Sequence, residues 1–182
     1  MKYIGNAFHC RRRVLNRVKC LAAVAVLLAL CASQAGASGI IYQFNNVFSG
    51  SSLSQPAPWL DATFQDVNGG VELTISNASL TSGEFVSGFY FNLNTNLNPS
   101  SLDFTLLNKS AGVATPTISQ GANQFKADGD GYYDVLFSFD TGHSGRFGAG
   151  DSISFFICGI TNLNAYDFTF LSSAGGGKGP FY

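Results

Sequence analysis

The chain has 182 residues, 46% hydrophobic and 12% charged, with 21 Gly, 17 Phe, a single Trp and a formal net charge of −1. Ordinary apolar content with little charge excludes a disordered chain, the near-neutral balance excludes a basic nucleic-acid binder, and the length suits one domain. Gly without a three-residue period excludes collagen, and four Cys in the whole chain are too few for a disulfide-stapled miniprotein.

Residues 1–19 hold Lys2, Arg11, Arg12, Arg13, Arg17 and Lys19 with no acid, and residues 21–30 are uninterrupted apolar. This order predicts a signal peptide over residues 1–37. Ten helical residues reach about 15 Å, half of the ~30 Å hydrocarbon layer, so no permanent transmembrane segment is expected. The small pair Ala35 and Ala37 places cleavage after Ala37, with cleavage after Ala35, using Ser33, as the alternative. Cys31 follows a lipobox-like Leu28-Ala29-Leu30, but Leu30 fills a position that lipoprotein processing wants small. Arg11-Arg12-Arg13-Val14-Leu15 loosely fits a twin-arginine signal, and a plain basic leader gives the same letters; either route leaves the cytoplasm. Residues 38–182 then carry four bases against eleven acids, a charge of −7, which repels nucleic acid. Cys10, Cys20 and Cys31 precede the cleavage point, leaving Cys158, inside the apolar run 153–160, as a buried and inert thiol.

Beyond the leader the dominant period is two. Strands are expected over residues 40–48 and 60–67, then where Val71, Leu73 and Ile75 alternate with Glu72 and Thr74. The same pattern recurs at Phe89, Phe91 and Leu93 against Tyr90, Asn92 and Asn94, and at Leu102, Phe104 and Leu106 against Asp103 and Thr105. It returns at Tyr133, Val135, Phe137 and Phe139 against Asp134 and Ser138, at Ile153, Phe155 and Ile157, and at Tyr166, Phe168 and Phe170. That makes about eight strands. Turn clusters separate them, such as Asn68-Gly69-Gly70 and Gly175-Gly176-Gly177. The expected fold is all-β: an antiparallel β-sandwich of jelly-roll type formed by one domain, 38–182, with a closed barrel as the alternative. Residues 103–107 and 167–171 share a five-residue pattern that any two strands can share, so no internal repeat is inferred.

The densest polar run is Asp128-Gly129-Asp130-Gly131-Tyr132-Tyr133-Asp134. Asp128, Asp130 and Asp134, spaced by Gly, are candidate Ca²⁺ ligands through their oxygens, although Phe139 stands where a calcium loop of the EF type needs Glu, and an Asp-Gly turn into the next strand explains the same letters. Trp59, Tyr90, Tyr132 and Tyr133, with Asn92 and Asn94 nearby in sequence, are candidates for stacking and hydrogen-bonding a carbohydrate. Against this, Phe outnumbers Trp 17 to 1, which is core composition. His143 lies in a Gly-flanked polar loop with no nucleophile elbow to serve, and neither Glu72 nor Glu84 is marked as half of an acid–base pair. No enzyme is expected. Sequons at Asn77 and Asn108 read as accidental beside a leader of bacterial type.

Pro58-Trp59-Leu60, Asp66-Val67 before a Gly pair, Ser82-Gly83-Glu84-Phe85-Val86-Ser87, Phe89-Tyr90-Phe91-Asn92-Leu93, residues 126–134 and Arg146-Phe147-Gly148-Ala149-Gly150-Asp151 together resemble bacterial PEP-CTERM, exosortase-sorted secreted proteins over about residues 58–182. The Pro-Glu-Pro motif, apolar helix and basic end of that class are not found before Tyr182, which implies a truncated chain or a tail-less paralogue. The resemblance implies export to the surface, matrix or periplasm of a Gram-negative bacterium and no shared catalytic residues. The combined expectation is a secreted, non-enzymatic structural or interaction protein of the cell surface or exopolysaccharide matrix. The alternative is a Ca²⁺-assisted carbohydrate-binding module.

Overall fold

The computed structural model describes residues 38–175, apart from 48, 49, 78, 128 and 129. The leader, its cleavage residues Ala35 and Ala37, and Asp128 lie outside the described residues. Among the described residues there are ten strands, eight of them in two main antiparallel sheets. The larger has β1 (Gly39–Phe44), β2 (Leu60–Val67), β3 (Gly70–Asn77), β10 (Ser152–Cys158) and β6 (Asp103–Lys109) side by side in that order. The smaller places β8 (Tyr132–Ser138) between β5 (Gly88–Phe91) and β7 (Thr117–Lys126). A two-residue ladder joins β4 (Phe85–Val86) to β9 (Phe147–Gly148).

Alternation fixes the register. One row of apolar side chains, Ile40, Phe64, Leu73, Phe155 and Leu106, crosses all five strands of the larger sheet in paired positions. A slip of one residue in any strand would put its apolar set in water, so the burial itself specifies the pairing. The β2–β3 hairpin turns at Asn68-Gly69, where Gly69 has φ of +88°, a conformation that side-chain-bearing residues rarely adopt. Gly70 follows because a Cβ there would collide with the carbonyl oxygen of Ile157 on β10.

The path is a jelly roll. β3 and β10 pair in the larger sheet, and the chain running inward from both crosses to the smaller sheet, where β5 and β8 pair. The innermost strands then part, β6 returning beside β10 and β7 lying beside β8. β1 and β2 extend the larger sheet as a meander. Both sheets have free edges, so neither is a closed barrel. Phe137 stands where they meet, with the rings of Phe89 and Phe91 at 6.3 and 5.7 Å from its own sheet and those of Phe104 and Phe155 at 5.4 and 5.0 Å from the other.

Three sequence expectations need correction. Residues 166–170 form no strand: a 3₁₀ turn spans Ala165–Phe168, closed by Asn164 and Asp167, each capping the other's backbone N–H side. That turn presses Phe168 onto Phe64, rings stacked at 4.7 Å, while Tyr166 stays 59% exposed. Strand β7, absent from the alternation pattern, forms from the polar run TISQGANQFK because β8 offers it a partner. Asn92 and Asp134, expected on wet faces, are only 4% and 7% exposed.

Candidate functional site

Two concave places lie toward opposite ends of β5. At the Gly88 end, a groove of about 350 Å³ is walled by Phe44, Leu53, Trp59, Leu60, Phe85 and Val86, with Leu80, Gly83 and Glu84 completing it. Trp59 is half-buried and doubly tethered: its backbone N–H donates to Phe44 O at 2.9 Å and its indole Nε1 to Gln55 O at 2.6 Å. Ser79 Oγ lies 2.7 Å from the carbonyl oxygens of both Pro56 and Pro58, and its single proton serves one or the other, which pins the segment leading into Trp59. Glu84 ties two loops together, accepting from Ser54 N at 2.9 Å and from Thr81 N and Oγ1 at 2.8 Å each. Those donors, the Ser54 backbone foremost and then Thr81, hold its carboxyl at about 2, well below its ordinary range. Arg146 lies over the face of Phe85, 4.2 Å from the ring centre.

At the Phe91 end, a smaller pocket of about 80 Å³ opens beside β7. Gln120 pairs with Val135 and Phe125 with Tyr133, so residues 121–124 stand out of the ladder as a bulge, with Asn123 at φ of +52°. Asp134 holds that bulge: its Oδ1 accepts from Asn123 N at 2.8 Å and its Oδ2 from Leu93 N at 3.0 Å. Asp134 N in turn donates to Asn92 Oδ1 at 3.0 Å, and Asn92 Nδ2 has no hydrogen-bond partner among the described residues. Asn92, Leu93, Pro99 and Asp134 make the buried floor; Thr95, Asn123, Phe170, Leu171 and Ser173 make the exposed rim.

The sequence-predicted residues divide between these places. Trp59 belongs to the groove, whereas Tyr132 and Tyr133 open β8 at the other end, so the four aromatics do not form one platform. Tyr90 and Tyr133 pack together at 5.6 Å, and Lys126 Nζ stands 5.6 Å from the Tyr132 ring. Tyr133 OH donates to Asp130 Oδ2, and Ser172 Oγ approaches Asp130 Oδ1 at 3.3 Å. Burial, reinforced by Asp130, pushes the Tyr133 hydroxyl far above an ordinary tyrosine. Asp130 and Asp134 therefore share no partner, and the described residues contain no group of three or more His, Cys, Asp or Glu able to hold a metal ion. Asn94 is spent on Asp167 at 3.1 Å, and His143 sits exposed in its loop. Cys158 is buried. Asn77 of the first sequon is turned inward, donating through Nδ2 to Gly148 O.

Sequence reasoning singled out Asn92 for carbohydrate and Asp134 for Ca²⁺ but missed that the two are buried and bonded to each other, and it missed the staple formed by Glu84. Glu84 had a usable signal, a Thr three residues before an acid in a Ser-Gly turn; the burial of Asn92 had none, since a polar residue within an alternating run reads as solvent-facing. Comparison with family models, with curated proteins and with solved structures finds no match to this chain. Among the described residues, no helix is long and apolar enough to cross a membrane.

Proposed function

We propose that this chain is an exported, non-enzymatic β-sandwich that works by binding, as a structural or interaction component of the cell surface or exopolysaccharide matrix, with the Trp59 groove as its contact. The observation that carries the reading is the groove: its volume lies in the range of about 300–1,000 Å³ usual for small-molecule sites, and its walls are aromatic and aliphatic around one fixed indole. Pyranose rings present apolar C–H faces that stack on such side chains, and hydroxyls that find polar edges. The basic and apolar leader, together with the resemblance to PEP-CTERM proteins, supports export.

Trp59 is the only tryptophan, so intrinsic fluorescence reports on the groove alone. Titration with bacterial exopolysaccharide is expected to shift and saturate the Trp59 emission, equally in CaCl₂ and in EDTA. Trp59→Ala is expected to lose retention on an exopolysaccharide column while keeping the wild-type circular dichroism spectrum. An emission that no polysaccharide moves, together with retention unchanged by Trp59→Ala, would remove the groove from the reading. Hydrolysis of a glycan or ester, abolished by changing His143, would overturn the non-enzymatic part.

A further inference from the structure

The larger sheet ends on one side at β1, and among the described residues no strand pairs with its outer side. Ser38 O accepts from Asp66 N and Phe44 O from Trp59 N, so residues 40, 42 and 44 turn their backbone groups toward β2. Antiparallel alternation then points the N–H and C=O groups of Gly39, Ile41 and Gln43 outward, and all three residues are exposed. Ile40 and Tyr42 pack against the core, which leaves the Ile41 side chain on the opposite face, 65% exposed. The other edge strands are blunted. β6 ends in Asp103 and Lys109 and slips register between Ser154 and Phe155 of β10, β7 carries the bulge at 121–124 and Lys126, and β5 is only four residues long. β1 has none of these devices: its six residues run in unbroken register with β2 and include no proline and no charge.

Charge and register select the partner. Residues 38–60 contain no charged side chain, whereas residues 38–182 carry four bases against eleven acids, so two copies of this acidic chain repel each other least along β1. We propose that β1 pairs antiparallel with β1 of a second copy, Ile41 opposite Ile41 across a two-fold axis, joining two five-stranded sheets into one continuous sheet. Only outward-facing residues can exchange bonds, and this register matches all of them: Gly39 of each copy meets Gln43 of the other, so every outward N–H and C=O finds a partner. The two exposed Ile41 side chains then cover each other. The first charges beyond the neutral stretch are Asp61 and Asp66 on β2, and the β2 strands of the two copies lie three strand spacings apart, about 14 Å, outside the ~8 Å screening length of physiological salt. A two-fold contact consumes β1 of both copies and leaves only blunted edges, so assembly stops at the dimer. The pairing is independent of what the Trp59 groove binds.

Sedimentation equilibrium of the purified protein over a range of concentrations tests the mass, and cross-linking tests the register. A reversible doubling of mass is expected. Ile41→Lys sets two ammonium groups beside the axis and is expected to return the monomer with the wild-type circular dichroism spectrum, because the side chain is exposed. Directly opposed residues have Cα atoms about 5.5 Å apart, within disulfide reach, so Ile41→Cys is expected to give an oxidised dimer. Gln43→Cys, offset from its own copy by four residues or about 14 Å, is expected to give none, and the native Cys158 is buried. Hydrogen exchange at the Gly39, Ile41 and Gln43 amides is expected to slow as concentration rises. A mass that stays monomeric, a dimer that Ile41→Lys leaves intact, species that grow beyond the dimer, or cross-linking through Gln43→Cys alone would each overturn the proposal. Slow exchange of those amides at monomeric mass would assign the edge to residues of this chain outside 38–175, and slow exchange only on adding an extended peptide of another protein would assign it to a foreign strand; either overturns the pairing of two copies.

Discussion

Phe137→Ala removes the ring at which the two sheets meet. A buried aromatic hides about 150–250 Å², and at about 25 cal/mol per Å² that is roughly 4–6 kcal/mol. The methyl kept by Ala returns part of this, while the cavity and the lost edge-to-face contacts with Phe89, Phe91, Phe104 and Phe155 add to the cost. The net expectation is a loss of about 4 kcal/mol, a large share of the ~5–15 kcal/mol that holds a domain folded. At about 2–4 °C per kcal/mol, Tm should fall by roughly 8–16 °C. Urea unfolding followed by far-ultraviolet circular dichroism and by Trp59 fluorescence measures the change, and the two probes should give the same midpoint. Phe170→Ala, at a ring 37% exposed on the pocket rim, is the control and should cost less than about 1 kcal/mol. A Phe137→Ala loss no greater than that of the control would refute the packing of the two sheets on this ring.

Three further outcomes follow from the same geometry. Gly70→Ala drives a methyl into the Ile157 carbonyl, so the β2–β3 hairpin must shift; a loss of about 2 kcal/mol or more is expected in urea unfolding. Asp134→Ala strands the Leu93 N–H and frees the bulge, for about 3 kcal/mol, and Asp134→Asn, which restores one acceptor, should recover part of that. Glu84, held at about 2 against an ordinary 4.5, favours the folded state fully above its unfolded-state pKa and loses that contribution as pH falls from there through about 2. Wild-type Trp59 emission should therefore change across that acid window while Glu84→Gln shows a flatter profile there; identical profiles would mean that the staple does not shape the groove.

Apolar alternation located most of the sandwich because the paired rows are real: Phe64, Leu73 and Phe155 lie in register, and their periods of two can be read without knowing the partner. It failed where structure is decided by what lies opposite. β7 carries Ser, Gln, Gly and Asn and becomes a strand through the edge that β8 offers, so its own letters hold little signal. Tyr166, Phe168 and Phe170 keep a period of two that a capping box overrides by bending the backbone into a 3₁₀ turn. The groove was half legible: Trp59 stood out by rarity, yet its walls come from segments far apart in the chain. Asn92 and Asp134 were visible one by one, but not their burial or their bond to each other, because the β7 bulge that Asp134 holds is announced by no local pattern.

The jelly-roll path also sets a timetable. β3 must wait for β10 before it gains its second neighbour, and the Phe137 ring cannot be enclosed until Phe155 has been synthesised. Early strands therefore emerge from the ribosome with only the β1–β2–β3 meander available to them, and most of the pairing is non-local and slow. The sandwich therefore closes around Phe137 only once β10 has joined β3 and β6, after the β1–β2–β3 meander and the β7–β8 hairpin are already complete in the chain.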